Sequence, residues 1–458
     1  MAALLACGLW SNLALATRCV DEDRFNTGTA PSAHAAQSAT PATPANPAAV
    51  APPDPRAQLQ SMVGETLTRS QSLGATRLLA EAAAQDIDEA RAAKKITASL
   101  GGGAGPALSR SAGAAVGASE HSLVQLRGNF TLSQLLYDGG RSDRLVDWRT
   151  QIAEAARLGQ LNLQEQLALN TVALSLERSR YRMQAQVWGH YVRKMGCLVD
   201  ALEQIVAADK GRLSELVQVQ KSLQQAELSQ VQSVSAARQI EVRLRRLVGD
   251  GLPGNEGMSS ILLAVPDLPT LQAQAERSTE IAQLDAQAAA MAEYARAVQA
   301  SGKPQLSWSV GANQSLNLGG TAGRASGLNA GVTFNMPLII PGLAASTDAA
   351  RKRAQAATLQ RADALESRLA RLAETHEQAV SAFDRVRRTG EVLRDSERVR
   401  NFTLQQWQQL GRRSLFDVMG AESDHYNLRV AYVNALHDGQ QMNTILVSLG
   451  QGLIGWLK

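Results

Sequence analysis

Aromatic residues are scarce: Phe, Trp and Tyr make up 4% of the 458 residues, while hydrophobic residues as a whole reach 45%. The apolar content is therefore mostly Ala, Leu and Val, which excludes a large aromatic-centred globular core. Richness in Ala, Leu, Gln, Arg and Glu points instead to long helices. Cysteine is almost absent. Cys7, Cys19 and Cys197 are too few for a disulfide framework, and no Cys-x-x-Cys or Cys/His cluster offers a zinc site. No internal run of 18 apolar residues occurs, which excludes ordinary transmembrane helices but not a β-barrel, whose strands alternate. Neither sign of charge dominates: 46 Lys and Arg against 42 Asp and Glu leave a net charge of +4, too balanced for a polyanion-binding protein.

The first 57 residues carry no pattern of a packed fold. Met1 to Ala16 is mostly apolar and uncharged, and Ala14-Leu15-Ala16 fits the small-x-small site of an export signal, although the usual positive first region is missing. Leu4-Leu5-Ala6-Cys7 has the form of a lipoprotein signal but sits too close to Met1 to serve as one from this start. From about Asn26 to Pro55 the Ala/Pro/Thr-rich chain reads as a disordered linker.

The remainder repeats. Gly211-Arg212-Leu213-Ser214 recurs 200 residues later as Gly411-Arg412-Arg413-Ser414. Phe130-Thr131-Leu132-Ser133, followed by Gly139-Gly140, recurs 202 residues later as Val332-Thr333-Phe334-Asn335, followed by Pro341-Gly342. Two landmarks in the same order at nearly the same spacing indicate a duplicated unit. The expected organisation is a signal segment and linker over 1–57, a first repeat over 58–250 and a second over 251–458.

Each unit mixes two periodicities. Val124, Leu126, Gly128, Phe130 and Leu132 alternate with polar neighbours, as do Leu306, Trp308, Val310 and Ala312, and again Leu328, Ala330, Val332, Phe334 and Met336. These are strands with one apolar face. Residues 319 to 327 supply the turn between the last two, and the partner of 124–133 belongs within 96–118, where the signal is Gly-rich and weak. The rest follows a 3.5-residue rhythm. Leu365, Leu369, Leu372, His376, Ala379, Phe383, Val386, Gly390 and Leu393 form one seam; Ala421, His425, Leu428, Tyr432, Ala435, Gly439, Met442, Leu446 and Leu449 form another. Leu216, Val219, Leu223 and Ala226 begin the same seam in the first repeat, continued by Ala237, Ile240, Leu244 and Leu247. Residues 342 to 409 contain no proline, so one helix of about 100 Å fits there. It turns at a Gly-Arg-x-Ser tip, near 211–214 in one repeat and 411–414 in the other, giving antiparallel hairpins.

Four strands cannot close a membrane barrel, and an open sheet would leave edges and an apolar face exposed. Three copies would give twelve strands and a tube of helix hairpins. The fold class expected is therefore mainly α with a membrane β-barrel: a long antiparallel coiled-coil barrel plus four strands per chain, twelve in a trimer. Val124, Leu126, Phe130, Val332 and Phe334 would face lipid.

Three segments then resemble a known family, the TolC-like outer-membrane factors: the strand followed by Leu135-Leu136-Tyr137-Asp138-Gly139-Gly140-Arg141, the tip Gly411-Arg412-Arg413-Ser414-Leu415-Phe416-Asp417-Val418, and the closing Leu446-Val447-Ser448-Leu449-Gly450. The resemblance covers about residues 58 to 458. It implies a homotrimeric exit duct in a Gram-negative outer membrane, with its helical part in the periplasm. A periplasmic adaptor, or membrane fusion protein, would join it to an inner-membrane pump of the ABC-transporter kind. The Gln- and Arg-rich hairpin around Leu213-Ser214-Glu215-Leu216-Val217-Gln218 resembles type I protein-secretion ducts more than multidrug-efflux ducts. The resemblance also places Asp417 in a constriction ring and Arg413 as the link that holds the entrance shut, with Glu215 and Glu422 as candidate partners. Gly211, Arg212, Ser214, Gly411, Arg412 and Ser414 become adaptor contacts. This chain departs from the family in acid content: Gly420 and Val217 stand where further acids are frequent.

Other motifs have plainer readings. Asp417 also suits a helix start, and Arg413 a solvated surface position. His376 and His425 sit in seams, where polar residues fix register. Ser423-Asp424-His425 is no catalytic relay, since consecutive helical residues point about 100° apart. Gly101-Gly102-Gly103-x-Gly105 lacks the Lys-Ser/Thr of a phosphate loop. The basic runs Arg351-Lys352-Arg353 and Arg243 to Arg246 lack interleaved aromatics, which argues against nucleic acid. No enzyme activity, metal or cofactor is expected. A soluble coiled-coil scaffold is the rival; it accounts for the seams but not for the strands.

Overall fold

The computed structural model describes residues 54–113, 116–318, 324–410 and 412–458. The export segment and linker over 1–53, the turn over 319–323 and Gly411 lie outside the described residues. Asp54 caps helix α1 (Pro55–Arg69) by accepting a bond from the Arg56 N–H at 3.1 Å.

The described residues divide into two compact units, one of residues 71–163 and 276–367, the other of 54–70, 164–275 and 368–458. Neither coincides with a sequence repeat. Each unit draws segments from both repeats, so the duplication and the packing are partitioned differently.

The first of these units holds a four-stranded antiparallel sheet, β1 (Thr97–Gly113), β2 (Val116–Tyr137), β3 (Gln305–Leu318) and β4 (Arg324–Asn335), in the order β1-β2-β3-β4. β1 is the Gly-rich partner placed by the sequence within 96–118, and both hairpins run longer than the alternation alone indicated. Cross-strand register divides the sheet into two faces. One carries rows such as Leu100–Phe130–Ala312–Leu328 and Ala98–Leu132–Val310–Ala330. The other carries Gly101–Asn129–Asn313–Gly327 and Ser99–Thr131–Gly311–Asn329.

The glycines of the polar face have a steric reason. A Cβ on Gly101 would lie 2.6 Å from the Asn129 Oδ1, one on Gly311 2.7 Å from the Asn329 Oδ1, and one on Gly327 2.6 Å from the Asn313 Oδ1. Each asparagine lies across the glycine opposite it.

The same unit contains helix α2 (Gln71–Ala92), the start of α3 (Arg141–Ala208), α6 (Thr279–Ala300) and the start of α7 (Leu343–Leu410). Its helical core is built from small residues, with Ala155, Ala286, Ala290, Ala295, Ala297 and Ala300 all buried. The turn from β2 into α3 is Asp138-Gly139-Gly140. The buried Asp138 carboxylate accepts from the N–H groups of Gly140 (3.1 Å) and Ser142 (2.6 Å), satisfying donors at the helix start. Gly139 adopts φ +67, and a Cβ there would collide with Lys303 at 2.3 Å, so both conformation and space require glycine.

The other unit is a helical bundle. Its remaining elements are α4 (Leu213–Val248), α5 (Leu268–Ala275), α8 (Leu415–Leu449) and α9 (Leu453–Leu457). α3 and α7 are each 68 residues, about 100 Å of continuous helix. One core joins Val187, Met195 and Leu202 of α3, Val219 of α4, Leu404 of α7, and Val418, Tyr426 and Val433 of α8. A second core joins Leu59 and Met62 of α1 to Leu176, Val447 and Leu453. The 4-3-4-3 seams lie inward: Leu372 and Ala379 on α7, and Leu216, Val219, Ala226, Ala237, Ile240 and Leu244 on α4, are buried.

On α8 the burial goes beyond the expected seam, taking in Glu422, Arg429, His437, Gln440, Asn443 and Thr444. The reason is a second packing partner. Gln440 donates to the carbonyls of Met258 and Ile261, both at 2.8 Å, and Asn443 to those of Leu262 (2.7 Å) and Ala264 (3.1 Å). The irregular connection between repeats thus has its backbone acceptors satisfied by two amide side chains.

Candidate functional site

Two regions carry the sequence-level site residues: the hairpin tips in the helical unit and the strand faces in the sheet unit.

The tips share a sequence but not a conformation. In the first, Asp209 accepts from the Gly211 N–H at 3.0 Å and opens a single 3₁₀ turn, Lys210–Arg212, after which α4 starts at Leu213. Ser214 already lies inside α4 and caps nothing. In the second tip, the Arg412 N–H reaches back to the Gln406 carbonyl at 3.3 Å, closing the end of α7. Ser414 then caps α8 in a full capping box. Its hydroxyl accepts from the Asp417 N–H (3.2 Å), and the Asp417 carboxylate accepts from the Ser414 N–H (3.1 Å).

The difference follows from one substitution. Val217 occupies the position of Asp417 and cannot accept a hydrogen bond, so the first tip takes its cap upstream, from Asp209. Ser214 and Ser414 are therefore not equivalent, contrary to the motif match. Gly211, Arg212, Ser214, Arg412 and Ser414 are all exposed, as an external contact surface requires. Leu213, Val217 and Phe416 add exposed apolar side chains at the tips.

Arg413 donates to the Gln406 Oε1 at 3.2 Å. Glu422 does not serve it: that carboxylate is fully buried, 3.6 Å from both the Lys194 Nζ and an Arg400 guanidinium nitrogen. It ties α8 to α3 and α7 inside the bundle. Beside it Tyr191 is pushed to a higher pKa, chiefly by burial, with the Ser423 hydrogen bond opposing and the Glu422 charge adding to the rise. Sequence reasoning missed this cluster, because a Glu one position after a seam residue reads as solvated.

Further along α8, Asp438 receives Arg180 (3.3 Å) and Arg385 (3.8 Å). Next to it His437 is fully buried and held below its ordinary pKa by burial, against the opposing effect of the Val433 carbonyl at 2.9 Å. His425, read as a seam residue, is buried on the same helix.

In the sheet, Val124, Leu126, Phe130, Val332 and Phe334 share one face by register, and all are exposed in the chain. Leu100, Leu316, Leu318 and Leu328 extend that exposed apolar surface. Within the sheet only β2 and β3 have neighbours on both sides; β1 and β4 each keep one unpaired edge. The opposite face is polar, with Asn, Ser, Thr and Gly in adjacent rows. Among the described residues, no helix is long and apolar enough to cross a membrane.

This arrangement is shared with solved outer-membrane proteins. The CusC structure, reported with transmembrane channel formation, aligns with a TM-score of 0.76 at 16% identity, over 86% of this chain and 92% of that one. The outer-membrane protein VceC of Vibrio cholerae gives 0.73 at 18% identity, over 86% and 96%. The CmeC outer-membrane channel of Campylobacter jejuni gives 0.70 at 13% identity, over 86% of each chain. No family model and no curated protein matches the chain. The chain has the fold of outer-membrane channels, and the TolC-like resemblance of its sequence holds at the level of the fold.

Proposed function

We propose that the chain is a TolC-like outer-membrane factor: a homotrimeric exit duct in a Gram-negative outer membrane, with its helices in the periplasm. The observation that carries this reading is the sheet. It has one exposed apolar face, one polar face and two unpaired edges, a combination that neither water nor lipid tolerates in a lone chain. Three copies pair every edge, give twelve strands, turn the apolar faces to lipid and enclose the polar faces as a lumen. No enzyme activity belongs to this reading.

The duct would act in a tripartite system. An adaptor protein meets the tips through Gly211, Arg212, Ser214, Gly411, Arg412 and Ser414, together with the apolar Leu213, Val217 and Phe416. An inner-membrane ABC transporter supplies energy, and the cargo is a protein of type I secretion. The support for that cargo is the Gln- and Arg-rich first hairpin; a multidrug pump would use the same geometry. Asp417 and Arg413 form the gate. Three Asp417 carboxylates near the axis favour cations, while the capping box fixes their position.

The decisive experiment is native mass measurement of the detergent-purified protein, followed by identification of the inner-membrane protein that co-purifies from gently solubilised cells. Three chains and an ABC transporter are expected. A stable monomer without detergent refutes the duct, and a proton-driven pump as partner refutes the type I assignment.

A further inference from the structure

The polar face of the sheet has an unbalanced charge. Its successive rows are Thr97–Ser133–Ser309–Gly331, Ser99–Thr131–Gly311–Asn329, Gly101–Asn129–Asn313–Gly327, Gly103–Arg127–Ser315–Ala325 and Gly105–Gln125–Asn317. These rows contain no Asp or Glu, and Arg127 is their one charged residue. Its side chain is exposed, and its Nε donates to the neutral Gln125 Oε1 at 2.6 Å. No carboxylate among the described residues pairs with it.

Its surroundings leave the guanidinium free to project. Gly103, Ser315 and Ala325 complete its row, and a Cβ on Gly103 would meet nothing within 4 Å. The bond to Gln125 uses one of five guanidinium donors, so four N–H groups stay available to an anion. An arginine placed only to brace the sheet would be expected beside a carboxylate or under a backbone carbonyl; this one has a single amide contact.

We infer that Arg127 is a specificity-determining residue: three copies form a cationic ring that makes the strand-lined part of the duct select for anions and for cargo bearing carboxylates or phosphates. This rests on the trimeric duct proposed above. It sets the strand segment against the Asp417 gate, so one pathway carries two filters of opposite sign. Rings of arginine are a general means of anion selection in pores. Because the lumen of a twelve-stranded barrel is wide, the ring acts through its field, which extends about 30 Å at 0.01 M salt but only about 3 Å at 1 M.

The test uses the full-length protein in planar bilayers, in a potassium chloride gradient at low salt, with wild type, Arg127→Gln and Arg127→Lys. The expected result is a reversal potential in Arg127→Gln shifted toward that of potassium, with Arg127→Lys close to wild type, and with the difference abolished at 1 M salt. Inorganic tripolyphosphate added from the strand side should block wild type and Arg127→Lys but not Arg127→Gln, and Asp417→Ala should leave that block unchanged. If Arg127→Gln does not assemble, Arg127→Cys modified in the open channel with a cationic or an anionic thiol reagent gives the same comparison. Channels whose selectivity and tripolyphosphate block ignore the charge at position 127 overturn this inference while leaving the duct intact. Purified protein that forms no channels overturns the duct reading, and this inference with it.

Discussion

Asp417 carries two assignments, half of a capping box and one third of a charged ring, and two substitutions separate them. Ser414→Ala removes the hydroxyl that accepts from the Asp417 N–H at 3.2 Å and leaves the carboxylate charge in place. Asp417→Asn removes the charge and keeps an oxygen that can accept from the Ser414 N–H, now 3.1 Å from the carboxylate. Loss of a Ser N-cap costs about 1 kcal/mol of helix stability. The effect is local, because α8 continues for 35 residues into a core that includes Tyr426 and Val433. It should therefore appear as easier opening of the first turn, not as a lower melting temperature of the assembly. Since 1.4 kcal/mol is a factor of ten, 1 kcal/mol makes amide exchange in that turn about five-fold faster. Hydrogen-exchange mass spectrometry of a peptide spanning Leu415 to Met419 reads this directly. Asp417→Asn should change exchange less, through a weakened charge–dipole interaction worth about 0.3–1 kcal/mol, yet reduce cation selectivity in planar bilayers more. If Ser414→Ala leaves exchange over 415–419 unchanged, the cap is not formed in solution. If Asp417→Asn leaves ion selectivity unchanged while slowing nothing else, the carboxylates do not reach the conduction path.

Four further outcomes follow from the geometry. Arg413→Ala, which removes the bond to Gln406, should raise single-channel conductance by loosening the tip; unchanged conductance places the entrance lock elsewhere. Phe130→Arg should cost about 2–4 kcal/mol in assembly if it lies near the bilayer midplane, and Thr131→Arg on the other face much less; equal losses of heat-resistant oligomer on gels would contradict the face assignment. Glu422→Ala strips the buried Lys194 and Arg400 of a shared carboxylate and should destabilise the bundle by about 3–5 kcal/mol, read by thermal melting in detergent. His437 is held below its ordinary pKa by burial, so the unfolded chain takes up a proton more readily than the folded one. Stability is therefore full above about pH 6.5 and falls as pH drops through that value; His437→Asn should flatten this part of the melting-temperature profile, and an unaltered profile would exclude the residue as its source.

Much of the architecture was legible in the sequence because it rests on simple periodicities. Alternation over 124–133, 305–314 and 327–336 identified three strands, and the 3.5-residue rhythm identified faces that are buried on α4 and α7. β1 was faint because its polar-face positions opposite Asn129, Arg127 and Gln125 are Gly101, Gly103 and Gly105, of which only Gly101 is kept small by the residue across from it; with no side chains there, no contrast of apolar and polar survives to be read. The second buried face of α8 was illegible because its residues are polar. Gln440 and Asn443 are buried to satisfy carbonyls some 180 residues away in sequence, and no local pattern encodes that. At the tips the repeated Gly-Arg-x-Ser suggested equivalence, whereas the helix start is decided three residues later, by Asp417 in one hairpin and by the lack of an acceptor at Val217 in the other.

The order of strands in the sheet also governs how the chain can be made. β2 ends at Tyr137 and its partner β3 begins at Gln305, so the central seam of the sheet joins segments synthesised far apart. Until β3 emerges, the nascent hairpin of β1 and β2 has a bare inner edge and an apolar face carrying Leu100, Leu126 and Phe130. Two strands alone are marginal in water, and closing so long a loop slows the pairing that would shield them. A polypeptide truncated between the repeats should therefore aggregate through its first hairpin, whose edge and apolar face β3 has not yet covered, instead of folding alone.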